Sequence, residues 1–141
     1  MNDIFRHAVK LLATRDYSVR ELTRRLEVRF GSVPESVIDQ LLELNFLDDE
    51  RFAENFVRSR KAHGKRRLET ELALRGIDEE LSRDILDRES WPSLSEVVET
   101  KMKEMKLSPP INEKSVARLW RSLQRMGYEA EEIQQELERF L

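Results

Sequence analysis

Apolar residues recur along this chain at steps of three and four, separated by charged positions, and that spacing predicts amphipathic helices rather than strands. Val9, Leu12 and Ala13 form one such stripe, Leu22 and Leu26 another, and Val37, Ile38, Leu41 and Leu42 a third. The stripes have recognisable starts. Ser18 followed by Glu21 is a capping box, with Tyr17 and Leu22 at the flanking staple positions. Ser93 with Glu96 repeats the box, and Asn112 sits between Ile111 and Val116 in the same staple arrangement. The stops are as regular, because Gly31, Gly64, Gly76 and Gly127 each follow a stripe where a helix end commonly needs a left-handed residue. These marks predict helices near residues 3–14, 18–29, 34–45, 48–62, 66–75, 78–88, 94–106, 112–126 and 129–140. No strand is required, and the fold class expected is all-α.

The nine helices fall into three triplets whose second and third members can be superimposed by pattern. Leu22 and Leu26 before Gly31 correspond to Leu68 and Leu72 before Gly76, and to Leu119 and Leu123 before Gly127. After each glycine comes an apolar pair four apart: Val37 and Leu41, Leu81 and Ile85, Ile133 and Leu137. The anchors Leu26, Leu72 and Leu123 stand 46 and 51 residues apart, a period suited to a three-helix unit that gains its core partly from its neighbours. We therefore expect three tandem modules, residues 1–46, 47–90 and 91–141, in an elongated, curved row. ESWPSLS, with Trp91 and Pro92, interrupts the pattern before the last module, and LSPPIN, from Leu107 to Asn112, is a stiff turn inside it.

Composition narrows the chemistry. Hydrophobic residues make up 39% of the chain and charged ones 38%, so each helix has one face to bury and one to solvate. No apolar run approaches the roughly 20 residues that span a bilayer, and MNDIFRHAVK lacks the apolar core of a signal peptide; a cytoplasmic protein without membrane contact is expected. With no cysteine, disulfides and thiolate zinc sites are excluded. The acids of LDDERFAENF invite a metal or acid–base reading. Placed on a helix, however, Asp48 is the N-cap and Asp49 and Glu50 meet the positive end of the dipole. Leu47 and Phe52 then take the staple positions, and Phe52, Ala53, Phe56 and Val57 line the buried face. Neither His7 nor His63 has ligand spacing to these acids. No serine lies in a nucleophile elbow, and HGKRR lacks the first glycine and the hydroxyl residue of a phosphate loop. Trp91 and Trp120 read as packing residues. The chain is expected to be a non-enzyme that carries no metal or cofactor.

Charge is unevenly placed. The net is −3, yet RSRKAHGKRRLETELALR, Arg58 to Arg75, has seven bases against two acids, a balance of +5 that leaves −8 elsewhere. The segment from Glu129 to Leu141 carries five glutamates and one arginine. Arg58, Arg60 and Lys61 close one expected helix, where cations suit the dipole. Lys65, Arg66 and Arg67 open the next, where cations oppose it, and this points to an anionic partner such as phosphate or an acidic protein groove. With Arg75 these bases are the candidate partner- or DNA-binding residues; helical units with a glycine turn also resemble helix-turn-helix DNA readers.

The run NFLDDERFAENFVRSRKAHGKRRLETELALRGID, Asn45 to Asp78, resembles the signature of the RecX family of bacterial recombination regulators. It has an apolar residue, two aspartates, an Arg-Phe pair, an arginine-rich helix, a glycine turn and an E-L-x-x-[KR]-G-I ending. On this sequence the matching residues are Leu47, Asp48, Asp49, Arg51, Phe52, Phe56 and Gly76. AVKLLATRDYSVRELTRRL, Ala8 to Leu26, is similar to the family's first helix pair. The resemblance implies tandem three-helix modules and a monomer that binds RecA and lies in the groove of the RecA–single-stranded DNA filament. It also implies restraint of ATP hydrolysis, strand exchange and the coprotease activity of the SOS response, with modest direct DNA binding and no chemistry of its own. The rival is a helical-repeat DNA-binding protein acting without RecA, whose affinity would fall steeply with salt.

Overall fold

A computed structural model describes residues 2–141; Met1, with which the first expected module begins, lies outside the described residues. The chain forms α1 (Asp3–Leu12), α2 (Val19–Phe30), α3 (Glu35–Glu43), α4 (Asp49–Ser59), α5 (Lys65–Leu74), α6 (Glu79–Arg88), α7 (Leu94–Glu104), α8 (Glu113–Arg125) and α9 (Ala130–Glu138), with a 3-10 turn over Lys61–His63. Among the described residues there is no strand, so the fold is all-α. Local chemistry sets the helix starts. The Ser18 hydroxyl accepts from the Glu21 N–H at 3.1 Å while the Glu21 carboxylate accepts from the Ser18 N–H at 3.1 Å, a reciprocal capping box. Asp48 accepts from the Arg51 N–H, Ser93 from that of Glu96 and Asn112 from that of Ser115. All four glycines have positive φ.

One helix is shorter than its sequence pattern. The stretch expected over 48–62 stops at Ser59, where the Ser59 hydroxyl donates to the Phe56 carbonyl at 3.1 Å and so offers that acceptor an alternative to the helical ladder. Arg60 then leaves helical geometry with φ −131°, and the 3-10 turn carries the chain to Gly64. The cations Arg58, Arg60 and Lys61 therefore sit on a changing backbone, with Arg58 and Lys61 directed to Glu89 and Arg60 to the Phe56 ring.

Three apolar clusters hold the fold. Phe5, Ala8, Tyr17, Leu22, Leu26, Val37, Leu41 and Leu47 pack together in the first triplet. Phe52, Ala53, Phe56, Val57, Leu68, Leu72, Ile77, Ile85 and Leu86 form the middle cluster, with Trp91 against it. Val97, Val98, Met102, Ile111, Leu119, Leu123, Met126, Ile133 and Leu137 form the last, with Trp120 on its flank. Each fully buried leucine contributes about 1.5–3 kcal/mol relative to exposure. The staple-position residues are divided between two cores, Leu47 in the first and Phe52 in the middle one. Arg51 ties the intervening turn down by donating to the carbonyls of Asn45 at 3.2 Å and Phe46 at 3.3 Å.

Polar contacts join the first and middle triplets. The Ser18 hydroxyl donates to the Arg75 carbonyl at 2.7 Å, so the cap of α2 also holds the end of α5. Asp49, on the first turn of α4, accepts from the Val19 N–H at 2.8 Å and thereby satisfies a free donor at the start of α2. Burial pushes the Asp49 carboxyl above the usual carboxylate range; the Val19 hydrogen bond opposes this, and Asp48 and Glu21 reinforce it. A carboxyl whose folded pKa is raised stabilises the fold when protonated, and that contribution is lost as pH rises through the folded pKa. Its value at neutral pH lies in the acceptor oxygen, not the charge. Asp49→Asn, which keeps an acceptor, should therefore change stability at neutral pH by no more than about 0.5 kcal/mol. Asp49→Ala orphans the Val19 N–H and should cost about 1–2 kcal/mol. Urea denaturation of the two variants checks this, and equal losses would sink the acceptor account.

Candidate functional site

The cation stretch is assembled from the end of α4, the 3-10 turn and the start of α5, with Gly64 between them. Gly64 has φ 86° and ψ 150° and is the N-cap of α5, which has no side-chain cap. Only glycine adopts that backbone region readily, and it turns the chain sharply enough to bring both groups of bases to one end of the middle triplet. The space is tight as well: a Cβ on Gly64 would lie 2.7 Å from the Met126 carbonyl oxygen, and one on Gly127 would lie 3.0 Å from the Arg67 nitrogen. The end of α8 thus abuts the start of α5, its carbonyls facing the positive end of another helix.

That contact changes the meaning of the bases at the α5 N-terminus. Arg67 donates to the Arg125 carbonyl at 3.2 Å and lies 3.9 Å from Glu71. Arg66 reaches into the last triplet, 2.9 Å from Glu129 and 3.4 Å from Glu132. Lys65 pairs with Asp87 at 2.8 Å. The anions that suit these cations are present within the chain, and two of them begin the acidic C-terminal segment. The penalty of placing cations against the α5 dipole is offset by serving the ends of α8 and α9.

The bases before Gly64 have an internal partner too. Glu89 accepts from Arg58 at 3.1 Å and from Lys61 at 2.9 Å, and Lys61 also donates to the Ser90 carbonyl at 3.0 Å. The Lys61 and Arg58 hydrogen bonds hold the Glu89 carboxyl below its usual range. Its stabilising effect is therefore present at neutral pH and is lost as pH falls through that lowered pKa. Arg75 lies 3.8 Å from Glu21, and its guanidinium carbon is 4.4 Å from the centre of the Phe56 ring. Arg60 stands 4.1 Å from the same ring. Six of the seven bases have an acid within 4 Å, and Arg60 has none among the described residues. The surface is a network of opposite charges with one uncommitted guanidinium, not a field of +5.

The pairs of Lys65 and Arg66 are exposed on both sides, whereas Glu89, Glu71 and Glu21 are half-buried or deeper. Arg66 is 57% exposed and Glu129 68%, and pairs of that kind contribute about 0–1 kcal/mol. An external anion can replace such a partner at little cost, so internal pairing is compatible with a contact surface. The rest of the chemistry has a structural account. Asp48 caps α4, Phe52 stacks on Phe56 with ring centres 5.9 Å apart, and Gly76, at φ 80°, lets Arg20 approach. Trp91 donates to the Leu86 carbonyl at 2.9 Å. His7 packs edge-on to Phe30. Among the described residues no group of three or more His, Asp or Glu is placed to hold a metal ion, and no helix is long and apolar enough to cross a membrane.

Sequence reading missed the acids that complete the network. Glu89 stands 28 residues beyond Lys61, and Glu129 63 beyond Arg66, outside any window in which charge is counted along a chain. Glu89 sits just past the last residue of α6, where one turn of packing brings it to the start of the middle triplet's cation group.

A family model described as RecX, second three-helix domain, matches residues 48–86, the segment that spans α4, the Gly64 turn, α5 and most of α6. The chain is 32% identical to the regulatory protein RecX of Serratia proteamaculans, with 95% of each chain covered. It is 41% identical to that of Chromohalobacter salexigens over 62% of each. A crystal structure of RecX from Lactobacillus salivarius superimposes with a TM-score of 0.67 over 97% of this chain and 94% of that one. At 16% identity that likeness speaks to the fold.

Proposed function

This chain belongs to the RecX family of regulatory proteins, and we propose that it is a chiefly negative regulator of RecA recombinase. It binds RecA and the groove of the RecA–single-stranded DNA filament, restraining ATP hydrolysis, strand exchange and coprotease activity without chemistry of its own. The supporting observation is the cation network at the Gly64 turn, where Lys65 and Arg66 are held by exposed partners weak enough to be exchanged for an anionic surface. Arg58, Arg60, Lys61, Lys65, Arg66 and Arg67 are the contact, with Arg75 behind them. A cytoplasmic monomer fits this role.

The test is RecA-catalysed ATP hydrolysis on single-stranded DNA. Substoichiometric protein should suppress it, and Glu89→Gln, which removes the charge that Arg58 and Lys61 share, should lower the half-inhibitory concentration at low salt by roughly two- to fivefold. Hydrolysis that persists at saturating protein, with no filament association, defeats the proposal. Normal inhibition with an unchanged Glu89→Gln value defeats only the assignment of Arg58 and Lys61.

A further inference from the structure

A cleft of about 370 Å³ lies where the first triplet meets the middle one, lined by Arg15, Asp16, Glu21, Phe52, Asn55, Phe56, Ser59, Arg60 and Arg75. Its volume falls near the small end of ligand sites, which run from about 300 to 1,000 Å³. Three guanidinium groups converge there. Arg15 and Arg75 form ion pairs with one atom, Glu21 Oε2, at 3.9 Å and 3.8 Å. Among the described residues the Arg60 guanidinium donates only to the Ser59 hydroxyl, at 2.9 Å, and no acid lies within salt-bridge reach of it. Its guanidinium stands over the Phe56 ring, whose place is set by the middle core and by the stack on Phe52. A planar donor fork held at a cleft with unused N–H groups is suited to a carboxylate or a phosphate oxygen.

Charge selects between those two. The lining carries three arginines and two acids, Asp16 and Glu21, which leaves one formal positive charge, enough to balance a single anion. A nucleic acid strand would bring several phosphates within a Debye length of about 8 Å and set them against the two fixed carboxylates. One acidic side chain beside an apolar residue avoids that repulsion, and the apolar neighbour finds the edges of Phe52 and Phe56. We propose that this cleft is a binding site for an acidic side chain, glutamate or aspartate, on a protein partner, with Arg60 as the principal donor and Asn55 and Ser59 beside it. This deepens the regulator reading by naming what the partner must present, and it rests on that reading only for which protein supplies the acid.

The probe is the tetrapeptide acetyl-Ala-Glu-Phe-Ala-amide, titrated into the full chain and followed by backbone amide shifts. Shifts at Asn55, Ser59 and Arg60 are expected. They should be absent with the glutamine counterpart of the peptide, and Arg60→Gln should weaken binding about tenfold, the loss typical of a hydrogen bond to a charged group. The glutamine peptide keeps the test decisive on the unaltered protein if Arg60→Gln disturbs the fold. No shift at these amides up to millimolar peptide overturns the proposal, as does an equal response to both peptides. A short oligothymidylate that moves the same amides at lower concentration overturns it in favour of a nucleic acid site. Because RecA is absent, failure here leaves the regulator reading standing, and failure of RecA inhibition leaves this site standing.

Discussion

Gly64→Ala is expected to cost about 3 kcal/mol of stability, and Gly31→Ala about 1–2 kcal/mol. Both glycines hold nearly the same φ, 86° and 85°, so both substitutions force a Cβ onto backbone that L-residues avoid. Their surroundings differ. A Cβ at Gly31 meets nothing within 4 Å, whereas at Gly64 it would lie 2.7 Å from the Met126 carbonyl oxygen, a backbone atom that cannot swing aside as a side chain can. The end of α8 has to retreat from the start of α5. Backbone amide shifts in Gly64→Ala should accordingly spread across residues 125–132, while the first core, around Leu22 and Leu26, stays as it is. Urea denaturation and the shift map measure the two parts of the effect. Equal losses for the two glycines would mean that the α5–α8 contact is not tight.

Much of this fold could be read from residue spacing because its determinants are local. A capping box at Ser18 and Glu21, the Asp48 cap, and glycines one step past an apolar stripe each act within a turn of helix, so the chain alone specifies them. The same holds for the buried faces: Phe52, Ala53, Phe56 and Val57 of α4 are all in the middle core. What could not be read are contacts between triplets. Ser18 looked complete as a cap, yet its hydroxyl hydrogen also reaches the Arg75 carbonyl. Asp49 was placed against its own helix dipole, and it does stand in that first turn, but its oxygen closes the start of α2. Both use a hydrogen-bonding capacity left over after the local one is satisfied, and sequence carries no signal for where a spare donor or acceptor points.

The cation stretch shows the same boundary from the functional side. Lys65, Arg66 and Arg67 at a helix start pointed to an anionic partner, and anions are there, but Asp87, Glu129 and Glu132 belong to the same chain. Counting charge along the sequence cannot see this, because the Asp87 pair is made by the packing of α5 on α6 and the Glu129 and Glu132 pairs by the abutment of α8 on α5 at two glycines. Arg60 is the opposite case. In sequence it is one base among seven, and only the folded arrangement marks it as the one with no acid within reach among the described residues.

Arg66 separates the internal and external uses of these bases. Arg66→Glu should weaken association with the RecA–single-stranded DNA filament about tenfold, the scale expected for reversing a contact charge, and should also set like charges against Glu129 and Glu132. The companion variant Arg66→Glu with Glu129→Arg restores the nearer pair, 2.9 Å apart in the native protein, with its polarity inverted and the net charge unchanged relative to the native chain. Stability and the shifts at residues 125–132 should return most of the way to native values, the remainder being the like charge left against Glu132. Filament association should not, because an external partner meets a glutamate where it needs an arginine. Fluorescence anisotropy of the filament complex and urea denaturation read the two effects separately. If the swap restores association along with stability, Arg66 acts only by holding the last triplet against the middle one, and the external contact must be sought on the other side of Gly64. There Arg58 and Lys61 share Glu89, and Arg60 remains uncommitted.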